Sequence, residues 1–165
     1  YTIWKKFGKF EGLTIGMIGD LKNGRVPHSQ CEFLKNFPGI KFIFVAPAEL
    51  QMPDEIVAEL KDAGFDVEMT EDLSEVISEM DVIADTRIQQ ERFSSEAEYL
   101  KFKGVYILDA AMMSKAKKDA ILMHPLPRVD EIAVEVDSDP RAKYFEQVEN
   151  GVAVRMALIA KLLGL

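Results

Sequence analysis

Short apolar runs alternate with amphipathic segments along the chain. Five runs have the length of β-strands and are bounded by turn-forming residues; they lie at 13–18, 40–46, 65–69, 81–85 and 120–123. Segments with helical periodicity separate them, at 1–8, 28–37, 54–63, 73–78, 95–101 and in a stretch that ends near Lys117. A brief apolar stretch at 105–108 leads into the helix that ends near Lys117. Strands that alternate with helices at this spacing predict an α/β fold, a doubly wound, Rossmann-like parallel sheet of about five strands with helices on both faces.

The last predicted helix, residues 143–163, has more apolar surface than a lone domain needs. One stripe repeats every three or four residues and a second apolar face lies beside it. A helix of about 20 residues is ~30 Å long, which exceeds the predicted strands. We therefore expect part of it to pack on something outside this chain. The two faces consist of Phe145, Val148, Val152, Met156, Ile159 and Leu163, and of Val154, Leu158 and Leu162.

Composition narrows the class of protein. The 165 residues are 48% hydrophobic and 29% charged, as in an ordinary globular domain. The net charge of −8 argues against a nucleic-acid or anionic membrane surface. The single cysteine, Cys31, is expected to be a buried thiol in a reducing compartment. No secretory signal or membrane-spanning run is recognisable, so we expect a cytoplasmic location. Because the chain starts at Tyr1, we expect it to be a piece of a longer protein.

The segment 124–132, His-Pro-Leu-Pro-Arg-Val-Asp-Glu-Ile, directly follows the fifth predicted strand. Pro125 and Pro127 fix the backbone and remove two N–H donors, which leaves stiff carbonyls free to meet a ligand. Ligands of open α/β sheets bind at this carboxyl edge. Taken alone, such a turn is more often a linker or a structural corner.

The turn after the first strand, residues 19–25, contains glycines but matches neither common phosphate-binding motif. The sequence therefore gives little support to a nucleotide site. What this turn places at the edge of the sheet is Arg25, whose guanidinium is either a ligand-binding group or a solvated one.

Arg87 and Gln89 follow the fourth strand in the same way, and strand alternation points both to one side. A guanidinium binds a carboxylate through two parallel hydrogen bonds, so these residues suit a small dicarboxylate. Arg87 can also pair with Glu91, four residues on, and that pair could orient the arginine.

His124 ends a strand in an apolar setting, where it is either a packed side chain or a general base. The two histidines, His28 and His124, and Cys31 are scattered, so we predict no metal site. No Ser-His-Asp arrangement is evident either.

Separated motifs, in order, resemble the aspartate-binding domain of the aspartate carbamoyltransferase family over nearly the whole chain. The His-Pro-Leu-Pro motif resembles the aspartate enzymes, whereas ornithine carbamoyltransferases are expected to have His-Cys-Leu-Pro. The motifs are Tyr1-Thr2-Ile3, Gly19-Asp20-Leu21-Lys22, Thr86-Arg87-Ile88-Gln89, residues 124–132 and Val154-Arg155-Met156-Ala157-Leu158.

This resemblance implies transfer of a carbamoyl group from carbamoyl phosphate to the α-amine of L-aspartate, a step of pyrimidine biosynthesis. It implies that Arg25 and Arg87 hold the aspartate carboxylates, that Gln89 assists, and that the Pro125 and Leu126 carbonyls accept hydrogen bonds, with a cis bond before Pro127. It implies no cofactor and no metal ion. It assigns supporting roles to His124, Pro127, Glu91, Glu131, Asp20 and Lys22.

By the same resemblance, residues 1–165 are a single aspartate-binding domain whose segments 1–10 and 143–165 are interdomain helices. The carbamoyl-phosphate-binding domain is then missing, and the isolated domain is expected to be inactive. The complete enzyme is expected to be a homo-oligomer, a catalytic trimer. Two alternatives stay open: a non-catalytic ligand-binding or assembly module with this fold, and a transcarbamoylase for another amine acceptor.

Two places depart from the family pattern. Residues 23–29 read Asn-Gly-Arg-Val-Pro-His-Ser where the family commonly has Tyr-Gly-Arg-Thr-Val-His-Ser, so Asn23, Val26 and Pro27 differ. Asp85 stands where an apolar residue is usual. These positions are where we expect loop mobility or aspartate affinity to differ.

Overall fold

Five parallel strands form one sheet in a computed structural model that describes all residues from Tyr1 to Leu165. The strand order is β3-β2-β1-β4-β5, so the first strand lies at the centre and the chain winds outward in both directions. This confirms the predicted α/β doubly wound parallel sheet. The strands are β1 (Thr14–Gly19), β2 (Lys41–Val45), β3 (Asp66–Thr70), β4 (Val82–Thr86) and β5 (Ile121–Met123).

Helices cover both faces of the sheet. They are α1 (Thr2–Phe7), α2 (Arg25–Leu34), α3 (Asp54–Asp62), α4 (Leu73–Val76), α5 (Glu96–Tyr99), α6 (Ala110–Lys115) and α7 (Tyr144–Leu162). Short 3₁₀ turns lie at Ala48–Leu50, Ile77–Glu79, Gln90–Arg92 and Val134–Ser138. None of the helices is both long enough and apolar enough to cross a membrane.

Two hydrophobic cores of nearly equal size, 18 and 17 buried residues, lie on opposite faces of the sheet. Strand alternation divides them: Ile15 and Met17 of β1 belong to the core under α2 and α3, whereas Ile18 belongs to the core under α4 and α6. Cys31 is buried in the first core, as predicted, and burial raises the pKa of its thiol to about 12. The central strands are therefore apolar on both sides, as in other buried parallel sheets.

Several predicted helix limits were wrong by a few residues. The second helix begins at Arg25 rather than His28, because Pro27 lies in its first turn, where a missing N–H costs nothing. It ends at Leu34, where the Asn36 side-chain amide donates to the Glu32 and Phe33 carbonyls. A side chain that caps free carbonyls leaves no trace in the apolar pattern, so the pattern could not predict where this helix ends.

The brief apolar stretch at 105–108 does not form a strand of the sheet. Leu108 instead makes an isolated parallel bridge to Ile132, with its N–H donating to the Glu131 carbonyl at 2.8 Å. This bridge ties the end of the proline-containing segment to the second core, where Leu108 and Ile132 are both buried.

The first and last helices are joined. The Asn150 side-chain amide donates to the Thr2 hydroxyl at 2.9 Å, and Lys5 pairs with Glu146 at 2.7 Å. Beyond this contact α7 is open to solvent, as the long apolar faces predicted. Its exposed apolar residues are Val152, Val154, Met156, Leu158, Ile159 and Leu162.

Candidate functional site

The carboxyl ends of β1, β4 and β5 lie side by side, so the segments that follow them meet at one edge of the sheet. A small cavity there is bordered by Val26 and Pro27 from the first turn of α2, by Thr86 from the end of β4, and by Pro125. Gly19 makes this approach possible. Its φ is +110°, and a Cβ would lie 2.1 Å from the Thr86 carbonyl oxygen.

Asp20 fixes the turn that leads to α2. Its buried carboxylate accepts hydrogen bonds from the backbone N–H and the side-chain amide of Asn23, each at 3.0 Å. Asn23, one of the departures from the family pattern, therefore stabilises this turn. Lys22 is exposed and borders a different depression, at the carboxyl ends of β2 and β3.

Arg25 is the first residue of α2 and is exposed, with no hydrogen bond or ion pair to another side chain. Its side chain borders a groove against α3, together with Ile56 and Glu59. The structure thus places the start of α2 at the small cavity, whereas the Arg25 side chain borders the groove against α3.

Arg87 follows β4, and its Nη2 donates to Glu91 Oε1 at 2.7 Å. Gln89 is half-buried, and its side-chain oxygen accepts a hydrogen bond from Arg92. Both partners lie in the Gln90–Arg92 turn. These contacts orient the Arg87 and Gln89 side chains. Because Glu91 is exposed to solvent, the Arg87–Glu91 pair is not buried and Arg87 can still meet a ligand.

The proline-containing turn has an unusual backbone. Leu126 has φ 53°, in the left-handed region that leucine rarely adopts, and the Leu126–Pro127 bond is cis, as the resemblance implied. The Leu126 N–H donates to Nδ1 of His124 at 2.9 Å, and the His124 N–H donates to Gln147 of α7 at 3.0 Å. The Pro125 and Leu126 carbonyls therefore belong to a turn whose N–H groups are directed inward.

The segment after the turn is anchored at two points. One carboxylate oxygen of Glu131 accepts the backbone N–H groups of Val129 and Asp130, each at 3.1 Å. Arg128 forms a two-contact ion pair with Asp137, and the buried Tyr144 hydroxyl donates to the same carboxylate at 2.5 Å. Sequence reasoning gave Arg128 no role, because its partner lies in a 3₁₀ turn that has no apolar pattern.

His124 is almost fully buried, in agreement with a packed side chain. Its Nε2 lies 2.9 Å from the second oxygen of Glu131 and 3.9 Å from Asp85 Oδ2. Burial and the Glu131 carboxylate hold the pKa of Asp85 well above its ordinary value, despite a hydrogen bond from the Thr86 backbone. Burial also pushes the pKa of Glu131 upward, but the nearby His124 ring and hydrogen bonds from the backbone outweigh it and leave that pKa below its ordinary value.

Asp85, His124 and Glu131 could be taken for a metal site, since their ligand atoms lie within 4.8 Å of one another. The prediction from spacing that no such group exists missed this cluster, because Asp85 comes from a different strand. The Leu126 N–H, however, occupies Nδ1 of His124, so the ring proton lies on Nε2. A metal ion binds only an unprotonated imidazole nitrogen, so this hydrogen bond makes the cluster unsuited to metal binding.

A broad depression of about 770 Å³ lies away from this turn. It is bordered by Lys22 and by four carboxylates, Glu49, Asp54, Glu71 and Asp72. Its charge does not suit a dicarboxylate, which leaves the edge formed by β1, β4 and β5 as the candidate site.

Residues 11–162 match the family model described as the aspartate/ornithine carbamoyltransferase, Asp/Orn binding domain. The chain is 51% identical over 163 residues to the aspartate carbamoyltransferase catalytic subunit of Finegoldia magna and 50% identical over 164 residues to that of Thermococcus onnurineus. In both cases the match covers 99% of this chain and 53% of the relative. The chain thus spans about half the length of the curated relatives it matches.

Solved structures that are similar to this chain are also aspartate transcarbamoylases. The catalytic subunit of M. jannaschii aspartate transcarbamoylase superimposes with a TM-score of 0.91 at 42% identity, covering 99% of this chain and 53% of that one. The Trypanosoma cruzi aspartate transcarbamoylase in complex with N-(phosphonacetyl)-L-aspartic acid gives a TM-score of 0.86 at 42% identity, over 96% and 51% of the two chains.

Proposed function

The chain belongs to the aspartate/ornithine carbamoyltransferase family, and from that premise we propose that it supplies the L-aspartate-binding half of an aspartate carbamoyltransferase active site. The complete enzyme transfers the carbamoyl group of carbamoyl phosphate to the α-amine of L-aspartate, as a step of pyrimidine biosynthesis. The observation that carries the proposal is the meeting of three segments, from the ends of β1, β4 and β5, at the edge of the sheet that holds the rigid Leu126 turn.

In this proposal two guanidinium groups hold the two aspartate carboxylates. Arg87 is already oriented by Glu91 and keeps donors free for a ligand. Arg25 turns from the groove against α3 toward the small cavity; it is exposed and unpaired, so no contact within the chain opposes that movement. Gln89 donates to a ligand oxygen through its amide, since its carbonyl is already used.

The Pro125 and Leu126 carbonyls accept hydrogen bonds from the attacking amine and from the carbamoyl amide. Attack of an amine on an activated carbonyl needs no covalent enzyme intermediate, so catalysis comes from orientation and charge complementarity. The turn suits this task, because Leu126 and the anchors at Glu131 and Arg128 fix its backbone before a ligand arrives.

The carbamoyl-phosphate-binding domain is the second half of the site. We propose that it covers the exposed apolar face of α7, and that the complete enzyme is a catalytic trimer. Alone, the chain then binds L-aspartate but turns over negligibly, since it offers no site for the carbamoyl donor.

Two measurements test the proposal. We expect carbamoyl-aspartate to form when this chain is combined with a carbamoyl-phosphate-binding domain of the family, and not with either piece alone. Vigorous activity of the chain by itself would refute the half-site assignment.

By calorimetry with L-aspartate and with succinate, we expect Arg25→Ala and Arg87→Ala each to cost about 2 kcal/mol or more of binding free energy, as for charge-assisted hydrogen bonds. Lys118→Ala, which removes an exposed positive charge elsewhere, is the matched control. A non-catalytic module with this fold would bind neither ligand, and a transcarbamoylase for another acceptor would favour a different amine.

A further inference from the structure

Three buried polar atoms beneath the Leu126 turn have no aligned hydrogen-bond partner. They are Oδ2 of Asp85, Nε2 of His124 and Oε1 of Glu131. The His124–Glu131 approach is short, 2.9 Å, but the N–H does not point along it. Unpaired polar atoms at this depth are costly, so the cluster needs a proton or a cation that satisfies them together.

The Leu126 N–H decides where a proton can go on His124. It donates to Nδ1 at 2.9 Å, which requires that nitrogen to be unprotonated. His124 is therefore neutral, with its proton on Nε2. A doubly protonated ring would direct an N–H at the Leu126 N–H and break the bond that sets the left-handed turn.

Because His124 is neutral, the proton that the cluster needs must lie on one of the two carboxyl groups, Asp85 or Glu131. Glu131 is held as a carboxylate by the backbone N–H groups of Val129 and Asp130, in addition to its contact with His124. Asp85 has no such donors on Oδ2 and is fully buried. Two adjacent buried carboxylates with a neutral histidine are unfavourable, so Asp85 is the group that holds the proton.

We propose that Asp85 is a positioning residue for the substrate-binding turn: as a neutral acid it donates its proton toward Glu131 and so keeps His124 in the form that accepts the Leu126 N–H. The inference rests on the proposed function, because it acts on the turn whose carbonyls meet the substrate. It goes beyond that function, because it gives a role to a residue at which this chain departs from the family pattern.

The other charged groups around Asp85 do not supply a counter-ion. Tyr99, Tyr106, Lys103 and Asp130 border a small neighbouring cavity together with Asp85 and Glu131, and Lys103 lies 3.9 Å from Asp130. Arg87, two residues along, pairs with Glu91. Val26, Pro27, Gln30 and Gln147, on the opposite side, carry no charge.

The proposal fixes the direction of a pH effect. As the pH rises through the Asp85 transition, the cluster gains a second negative charge, which weakens the hold on the turn and opposes an anionic ligand. Binding of a dicarboxylate therefore weakens with rising pH, by about tenfold for each pKa unit that separates free and bound protein. Succinate is the suitable probe, because it has no amine that titrates in the same range.

Nuclear magnetic resonance on the intact chain tests the proton positions directly. Near neutral pH we expect the ¹⁵N signals of His124 to report a neutral ring with Nδ1 as an acceptor, and the ¹³C signal of the Asp85 carboxyl to report the protonated acid. We expect the Leu126 amide signal to move with the Asp85 transition. An ionised Asp85 or a doubly protonated His124 near neutral pH would overturn the proposal.

Variants separate positioning from simple packing. Asp85→Asn keeps a neutral donor at every pH. Its succinate affinity should therefore equal that of the wild type at pH values where Asp85 is protonated, and it should not change as the pH rises. Asp85→Ala removes the donor and should weaken succinate binding by about tenfold, the size of one lost hydrogen bond. Glu131→Gln should move the Asp85 transition to lower pH, and Asp62→Asn, on the exposed face of α3, is the matched control.

The outcomes distinguish this inference from the proposed function. If the Asp85 and His124 signals behave as expected and succinate does not bind at any pH, the proposed function fails and the proton assignment stands. If succinate binds but Asp85→Ala binds it as tightly as the wild type, the proposed function stands and the positioning role fails. If Asp85 stays protonated over the whole pH range tested, the succinate affinity of the wild type must not change with pH. A loss of affinity with rising pH in that case would contradict the positioning role of Asp85.

Discussion

At the scale of single residues, the site depends on contacts that orient side chains rather than on strong bonds. The Arg87–Glu91 pair is the clearest case, since both groups are partly in solvent and such pairs contribute little to folding. Its value lies in holding one guanidinium in a defined direction before a ligand arrives.

We therefore expect Glu91→Gln to weaken succinate binding by about 1 kcal/mol while the free energy of unfolding changes by less than about 0.5 kcal/mol. Isothermal titration calorimetry and urea denaturation measure the two quantities. Glu79→Gln is the control, because it removes the comparable Lys41–Glu79 pair at the start of β2, at the opposite edge of the sheet from the site. Equal succinate affinity in wild type and Glu91→Gln would contradict the orienting role.

Tyr144 gives a second test at this scale. Its ring is fully buried, and its hydroxyl both donates to Asp137 and accepts from Arg128. Removal of the hydroxyl leaves two charged groups short of a partner, so we expect Tyr144→Phe to lower the free energy of unfolding by about 1–2 kcal/mol. Urea denaturation measures this, with Tyr99→Phe, whose hydroxyl makes no hydrogen bond in the protein, as the control. Equal losses in the two variants would argue against this anchor.

At the scale of elements, the strands and most helices followed from apolar periodicity. The strands β1, β2 and β4 are buried on both faces, and their continuous apolar runs made them unambiguous. The ends of helices were harder to predict. The start of α2 depends on Pro27, and its end depends on the Asn36 amide, and neither residue belongs to the apolar pattern.

The junction of β1 and β4 depends on Gly19. A Cβ at this position would clash with the Thr86 carbonyl, and its φ of +110° strains any other residue. We expect Gly19→Ala to lower the free energy of unfolding by about 3 kcal/mol or more, because backbone would have to move.

Gly12→Ala is the matched control for this change. Gly12 also has a positive φ, +70°, but no atom lies within 4 Å of the added Cβ, so only the conformational cost of about 1–2 kcal/mol remains. Chemical denaturation of both variants gives the comparison. Similar losses would show that the Thr86 contact does not matter.

At the scale of the whole molecule, the fold class and the meeting of the candidate site's segments at one edge of the sheet were predictable, whereas the arrangement of side chains within the candidate site was not. Arg25, Arg87 and residues 124–132 each follow a strand, and parallel topology brings such ends together. The Asp85–His124–Glu131 cluster and the Arg128–Asp137–Tyr144 anchor join residues that are distant in sequence, and only packing decides which of them meet.

The stability of the whole chain should fall on acidification. Hydrogen bonds from Arg128 and Tyr144 hold the pKa of Asp137 below its ordinary value, and those from Arg141 do the same for Asp139. The stabilisation they give is fully present above the ordinary aspartate pKa and is lost as the pH falls through the depressed values.

Urea denaturation at a series of pH values measures this loss. We expect Asp137→Asn to show a shallower decrease in the free energy of unfolding on acidification than the wild type, because one of the groups that gains a proton is gone. Asp62→Asn, on an exposed part of α3, should keep the wild-type slope. Parallel curves for wild type and Asp137→Asn would contradict the assignment.

The left-handed conformation of Leu126 favours ligand binding at the expense of the stability of the fold. Leucine in this conformation costs about 1–2 kcal/mol, and its half-buried side chain packs against the second core. Glycine would adopt the same backbone without that cost, but it would also leave the turn free to sample other shapes. A laboratory selection for heat resistance alone should therefore accept glycine at this position, whereas a selection for succinate binding should keep the leucine.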